Sequence, residues 1–346
     1  MPQERLRAVG SWNHVAGFRD RFRLLLISLL ILFLELACIR WFPAHVLFLT
    51  FFTNTMLLAC FLGMSAGCLA APSSRNYSVW TPPLLALGMG AALGVDFLRS
   101  VLYRMVAVGS RSSPQLVFFG TEHTYTNPSH FVIPMVAVEG FFFLIVALAL
   151  VGPGQELGRA LRQVPNRVEA YSLNIFGSLL GILIFAAFSW LELSPIWWFL
   201  LVVIVLGYFL WPQVARGVSW RWRDGLAALG LVCALGFVLL LASSTPFRFP
   251  WGNAPGVKTF WSPYYRIDYY SNSRSMDVNL VFHQQMVSRR SPSPAYAYSL
   301  PYLLNRDSDG RRFDDVLVIG AGTGNDVSRA LAWGARRVDA VEIDPV

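Results

Sequence analysis

Apolar residues in the first two thirds of this chain run together rather than alternate. Seven stretches, at 24–39, 47–71, 79–98, 132–151, 171–190, 195–211 and 226–242, are apolar on every side of a helix and carry few charges. They reach or approach the roughly 18–20 residues that cross a bilayer core as helix. The pattern therefore predicts a polytopic α-helical membrane region of about seven helices over residues 1–244. From Ser243 the character changes. Residues 245–263 are rich in Pro, Gly and Trp and read as a linker. In the subdomain 264–305, the strand-like runs YYRIDYY and VNLVFHQQMV flank the turn-forming SNSRSMD, which predicts a β-hairpin. A helix is expected around YAYSLPYLL, interrupted by Pro301, and a polar loop over 305–312.

The last stretch, 306–346, carries the clearest chemistry. Val316, Leu317, Val318 and Ile319 form a short apolar run of the kind buried on both faces of a sheet. Gly320, Gly322 and Gly324 follow, then a helix-like run over 325–333 closed by Gly334. A second strand over 338–341 ends at Glu342, which lies 22 residues after Gly320. This is the pattern of the first β-α-β unit of a nucleotide-binding sheet: glycines admit close approach, a helix N-terminus offers N–H groups, and an acid reaches ribose hydroxyls. The glycines read G-x-G-x-G, and Asn325 stands where a dinucleotide site wants its third glycine. That departure favours S-adenosylmethionine or a relative over NAD or FAD.

Composition sharpens this division. Hydrophobic residues make up 55% of the chain and charged residues 14%, so the N-terminal part belongs in lipid. The net charge of +8 comes from basic residues in short segments between apolar runs, the ordinary signature of cytoplasmic loops, and does not point to nucleic acid. With the N-terminus in the cytoplasm, alternating the seven spans puts twelve arginines inside and four outside, but leaves the C-terminal domain outside. The cofactor is made inside the cell, and its supply takes precedence over the span count: the expectation is a multi-pass inner-membrane protein with a cytoplasmic C-terminal domain. The first apolar run lacks a small-x-small cleavage site and reads as a retained anchor.

Other candidates are weaker. Cys38, Cys60, Cys68 and Cys233 sit in or beside apolar runs with no CxxC or His/Cys cluster, so neither disulfides nor a metal site is predicted. Glu35, Asp96 and Glu139 are acids in spans, the residues that would signal transport, although pairing inside the bundle is the plainer reading for Glu35. Gly177 and Gly181 form a GxxxG for close helix packing, within the chain or across a homodimer. Asn54 and Asn174 are expected to bond between helices, and His123 and His130 to lie on a loop surface.

VLVIGAGTGNDV with VDAVEIDP resembles motif I and the acidic strand of class I S-adenosylmethionine-dependent transferases, and is most similar to the spermidine synthase-like (polyamine aminopropyltransferase) family. SPYYRIDYY and VNLVFHQQMVS resemble that family's N-terminal hairpin. ELACIRWFPAHV, TNTMLLACFLGMSAGC and AYSLNIFGSLLGI look like the multi-span region of its bacterial membrane members. The resemblance implies a Rossmann-like domain in which Gly320, Gly322 and Gly324 line the S-adenosylmethionine or decarboxylated S-adenosylmethionine donor and Glu342 holds its ribose hydroxyls. Asp326 serves the helix dipole or a cofactor amine. It also implies departures: Tyr264-Tyr265 replaces Tyr-Gln, Val287 aligns with a Gln, and SPSPAYAYSLPY replaces a carboxylate-rich run, which puts polyamine transfer in doubt. A full transferase sheet has about six or seven strands. The family's catalytic residues are therefore expected beyond Val346, and the stretch in hand is expected to be an inactive fragment. The implied activity is aminopropyl or methyl transfer in a membrane-bound transferase; the alternative is a transporter or membrane scaffold with a nucleoside-sensing or vestigial domain.

Overall fold

The computed structural model describes residues 3–46, 49, 52–101, 106–107, 133–214, 225, 228–234, 236, 256–288, 296–308 and 310–346. Contacts divide the chain into two units, Met1–Asn253 and Ala254–Val346. The N-terminal unit contains α1 (Gln3–Trp41), α2 (Thr53–Leu69), α3 (Thr81–Val101), α4 (Met135–Gln163), α5 (Arg167–Trp190) and α6 (Pro195–Val214), with a two-residue parallel pair β1 (Val106–Ala107) and β2 (Ile133–Pro134) between α3 and α4. Where seven spans are expected, four helical stretches among the described residues are long and apolar enough to cross a membrane: Gly17–Trp41, Ser78–Val95, Val136–Gln163 and Arg167–Trp190. Asn54–Leu69 and Pro195–Leu210 are apolar but shorter. Of the seventh expected span only 228–234 and 236 are among the described residues, and His123 and His130 lie outside them.

The helices also start and stop differently from the hydropathy pattern. Arg159 and Arg162 belong to α4, which runs twelve residues past the expected end at 151. The segment ELGRALRQ is made of good helix formers, and Glu156 pairs with Arg159 one turn on at 3.1 Å. Asn166 then caps α5, its Oδ1 accepting the N–H groups of Val168 and Glu169. Hydropathy marks where a helix is greasy; caps and polar helix formers set where it ends.

Glycine seams decide the packing. Gly177 and Gly181 on α5 lie so close to α1 that an added Cβ would come within 2.5 Å of the carbonyl oxygens of Leu25 and Leu29. The expected GxxxG is thus used within the chain, and α1 and α5 run parallel. Gly63 and Gly67 on α2 meet Ala147 and Val151 on α4, while Gly154 and Gly158 answer at Met64 and Cys68, so α2 and α4 also run parallel. Antiparallel to α1, α6 sets Phe199 edge-to-face with Trp41 and Tyr208 edge-to-face with Phe22. Pairing of Arg23 with Glu156 at 3.2 Å joins the middle of α1 to the last third of α4. Consequently Arg19, Arg21, Arg23, Arg75, Arg159, Arg162 and Arg167 gather at one end of the bundle. Within it, Thr55 Oγ1 donates to Glu139 at 2.7 Å. Buried Glu35, expected to be paired, has no hydrogen-bond or ion-pair partner among the described residues. Asn54 is exposed, whereas Asn174 accepts from Ser28 of α1 as expected.

In the C-terminal unit the predicted hairpin is a four-stranded antiparallel meander: β3 (Val257–Trp261), β4 (Arg266–Tyr270), β5 (Ser275–Val278) and β6 (Val281–Gln285). The first strand comes from the expected linker, and SMDV, read as turn, is a strand. The β5–β6 turn is Asn279-Leu280, with φ of +48° and +70°. Such a tight turn usually announces itself as Asn-Gly; here Leu280 takes the left-handed position and is buried. Beyond it, α7 (Tyr296–Asp307) runs through Pro301 instead of breaking there. Only the N–H that would reach back to the first turn is lost. The β7 (Asp315–Ile319), α8 (Asn325–Ala332) and β8 (Arg337–Val341) elements form a β-α-β unit, with β7 and β8 parallel and Val316 opposite Val338. One feature of β7 departs from expectation. Val318 is buried but Leu317 and Ile319 are exposed, so the strand is covered on one face rather than two.

Candidate functional site

The glycine-rich turn between β7 and α8 is built by its left-handed backbone. Gly324 is the N-cap of α8 at φ +79°, a conformation in which a side chain would clash with its own carbonyl. Gly322, at φ +48°, has a second constraint: a Cβ there would lie 2.8 Å from Gln284 Oε1. The third glycine, Gly320, also has positive φ. All three predicted glycines therefore line one tight turn.

That turn has already spent its donors. Gly320 and Ala321 both donate to the carbonyl of Val341 at the end of β8, at 2.8 and 3.1 Å, and Gly324 donates to Ala321. Gly322 N–H donates to Glu342 Oε2 at 2.7 Å. Thr323 N–H and Oγ1 both donate to Gln284 Oε1, at 3.1 and 2.8 Å. Glu342 is thus brought to the turn as predicted. Its other oxygen accepts the N–H groups of Ile343 and Asp344 at 2.8 and 3.0 Å. Donation from Asp344 and Gly322 holds this exposed carboxyl below the usual glutamate range, and the nearby His283 adds to the effect.

Sequence reasoning missed the residues that tie the meander to this turn. Gln284, on β6, also donates its side-chain N–H to Tyr298 Oη on α7 at 3.0 Å. Asn325 is 2% exposed; its side chain accepts from Val287 N–H and donates to the Gln285 carbonyl, at 2.8 Å each. It thereby extends the end of β6 as a backbone would. Arg329 reaches the Ser288 carbonyl in the same way at 3.3 Å. The only hint in the sequence was a pair of polar residues, Gln284-Gln285, at the end of a strand. Asp326 sits in the first turn of α8, where a carboxylate meets the positive end of the helix. Together with burial, it pushes the Tyr302 hydroxyl above its ordinary range. Tyr302 stacks on Trp333 at 5.9 Å between ring centres, fixing α7 against α8.

The acids of the meander are engaged. Asp268 pairs with Arg266 at 3.0 Å, both buried, and accepts from Thr259. Asp277 accepts from the Tyr270 hydroxyl at 3.1 Å. Neither stands ready for an ammonium group, in line with the missing carboxylates of 291–302. Comparison with known proteins adds no relative: no family model, no curated protein and no solved structure matches the chain.

Proposed function

We propose that this protein is a membrane-bound, spermidine synthase-like transferase that takes S-adenosylmethionine or its decarboxylated form as donor and passes an aminopropyl or methyl group to an acceptor. The observation that carries this reading is the turn with no donor to spare. A phosphate-binding loop presents free N–H groups to its anion. Here the N–H groups of Gly320, Ala321, Gly322, Thr323 and Gly324 all have internal acceptors, one of them the Glu342 carboxylate. A second carboxylate, Asp326, stands at the helix start. Such a turn suits a nucleoside whose 5′ arm is uncharged or cationic and repels a diphosphate. The exposed Glu342 carboxylate keeps an acceptor site on Oε2 for a ribose hydroxyl, its Oε1 being taken by the N–H groups of Ile343 and Asp344. In the transfer, the acceptor's electron pair forms the new bond to carbon while the C–S electrons return to sulfur, so the sulfonium leaves as a neutral thioether. On this reading the helical unit sits in the inner membrane with its arginine-rich end in the cytoplasm, where arginines concentrate and the donor is made.

The reading is tested by calorimetric titration of the chain, reconstituted in nanodiscs, with four ligands. S-adenosylmethionine, decarboxylated S-adenosylmethionine and methylthioadenosine are expected to compete for one site, and NAD to bind at least tenfold more weakly. Equal or tighter binding of NAD would refute it.

A further inference from the structure

Between the parallel pair α1/α5 and the parallel pair α2/α4 lies an open cavity of about 580 Å³. It is within the size of pockets that hold small ligands. Its walls include Leu32 of α1, Leu69 of α2 and Leu157 of α4, and its polar lining includes Ser65 and, from α5, Asn174 and Ser178. We infer that this cavity is a binding site for one anionic phospholipid, its ester region at Asn174 and its headgroup at the arginine-rich end of the bundle.

Three observations lead there. First, the lining is mainly apolar and lies in the half of the bundle next to that end, since Leu157 is two residues from Arg159 and Leu69 directly precedes the turn to Arg75. Second, the polar groups are unspent. Ser28 Oγ lies 2.8 Å from both the Leu24 carbonyl and the Asn174 amide and has one hydrogen to give, so it engages only one end of that amide, and the rest of the Asn174 amide and the hydroxyls of Ser65 and Ser178 have no partner among the described residues. Donors at membrane depth are costly unless an acceptor reaches them, and lipid ester carbonyls are acceptors at that depth. Asn174 lies seven residues into α5 from Arg167, about 10 Å along the helix axis, an offset that long arginine side chains bridge by snorkelling. Third, the charge matches. Arg19, Arg162 and Arg167 are exposed and have no carboxylate partner among the described residues, while Arg21, Arg23 and Arg159 are already paired with Glu169 and Glu156. Juxtamembrane arginines favour anionic headgroups over zwitterionic ones. The inference rests on the bilayer placement of the helical unit and does not depend on the cofactor.

The test is native mass spectrometry of the full chain released from nanodiscs of equal phosphatidylglycerol and phosphatidylcholine. The wild type is expected to retain one phosphatidylglycerol, about tenfold in preference to phosphatidylcholine. Arg162→Gln/Arg167→Gln, which changes only exposed side chains, should remove the preference. Ser178→Phe, which fills the cavity, should remove the retained lipid itself. Equal retention of both lipids by the wild type, or unchanged phosphatidylglycerol retention in the arginine variant, would overturn the proposal even where Ser178→Phe fails to fold. Alkaline carbonate extraction of the same membranes separates this outcome from a failure of bilayer insertion: release of the chain there would refute the membrane placement on which the site depends.

Discussion

Two side chains hold the glycine-rich turn from opposite sides, and they fail differently. Gln284 accepts from both Thr323 N–H and Thr323 Oγ1. Gln284→Ala leaves a half-buried N–H without its acceptor, a loss of about 1–3 kcal/mol. Amide exchange in the peptide over 320–324 is expected to quicken by tenfold or more, with β3 and β4 unaffected; unchanged exchange would mean that the turn stands without the meander. Glu342 holds Gly322 through charge. Its folded-state pKa lies below the unfolded value of about 4.3, so its contribution is complete above that value and is lost as pH falls through the lowered native one. Protection of the Gly322 amide, corrected for intrinsic exchange, should therefore be flat between about pH 7 and about pH 5 and fall only in stronger acid. Glu342→Gln should show no such acid step, and an equal step in both proteins would exclude the carboxylate as its source.

At the scale of elements, glycines rather than greasy faces set the helix pairs. Gly67 of α2 has the backbone of α4 at Val151 and Gln155 where its Cβ would be. Gly67→Val cannot be absorbed by a flexible side chain, and a destabilisation at or beyond about 3 kcal/mol is expected, read as a lower midpoint in detergent unfolding. Gly207→Val on α6, where an added Cβ meets nothing within 4 Å, is the control and should leave the midpoint in place. The elements also show what a sequence can carry. The β7-turn-α8-β8 order was legible because strand, glycines, helix and acid stand in fixed spacing, and Glu342 does reach the turn. The meander was half legible. Its β5–β6 turn is Asn279-Leu280, without the glycine that normally marks such a turn, so SMDV passed for loop. Gln284 and Asn325 were not legible as a stitch at all, because their partners are 38 to 40 residues away and backbone atoms carry no sequence signal.

For the whole molecule, the parallel pairs α1/α5 and α2/α4 bring seven arginines to one end, and α6 returns the chain to that end at Val214. Hydropathy alone could not give this, since it reports spans but not which of them are neighbours. If the C-terminal unit is cytoplasmic, as proposed, Ser308→Cys there should resist an impermeant maleimide in intact cells and react once they are opened. Labelling of intact cells above the wild-type background would place the C-terminal unit outside.

The most direct test of the donor site is a paired titration of S-adenosylmethionine into the reconstituted wild type and into Glu342→Ala. A charge-assisted bond to a ribose hydroxyl would be lost, so the variant is expected to bind about 10- to 100-fold more weakly. Equal binding by the two proteins, or none by the wild type, would contradict the assignment of this turn as a donor site.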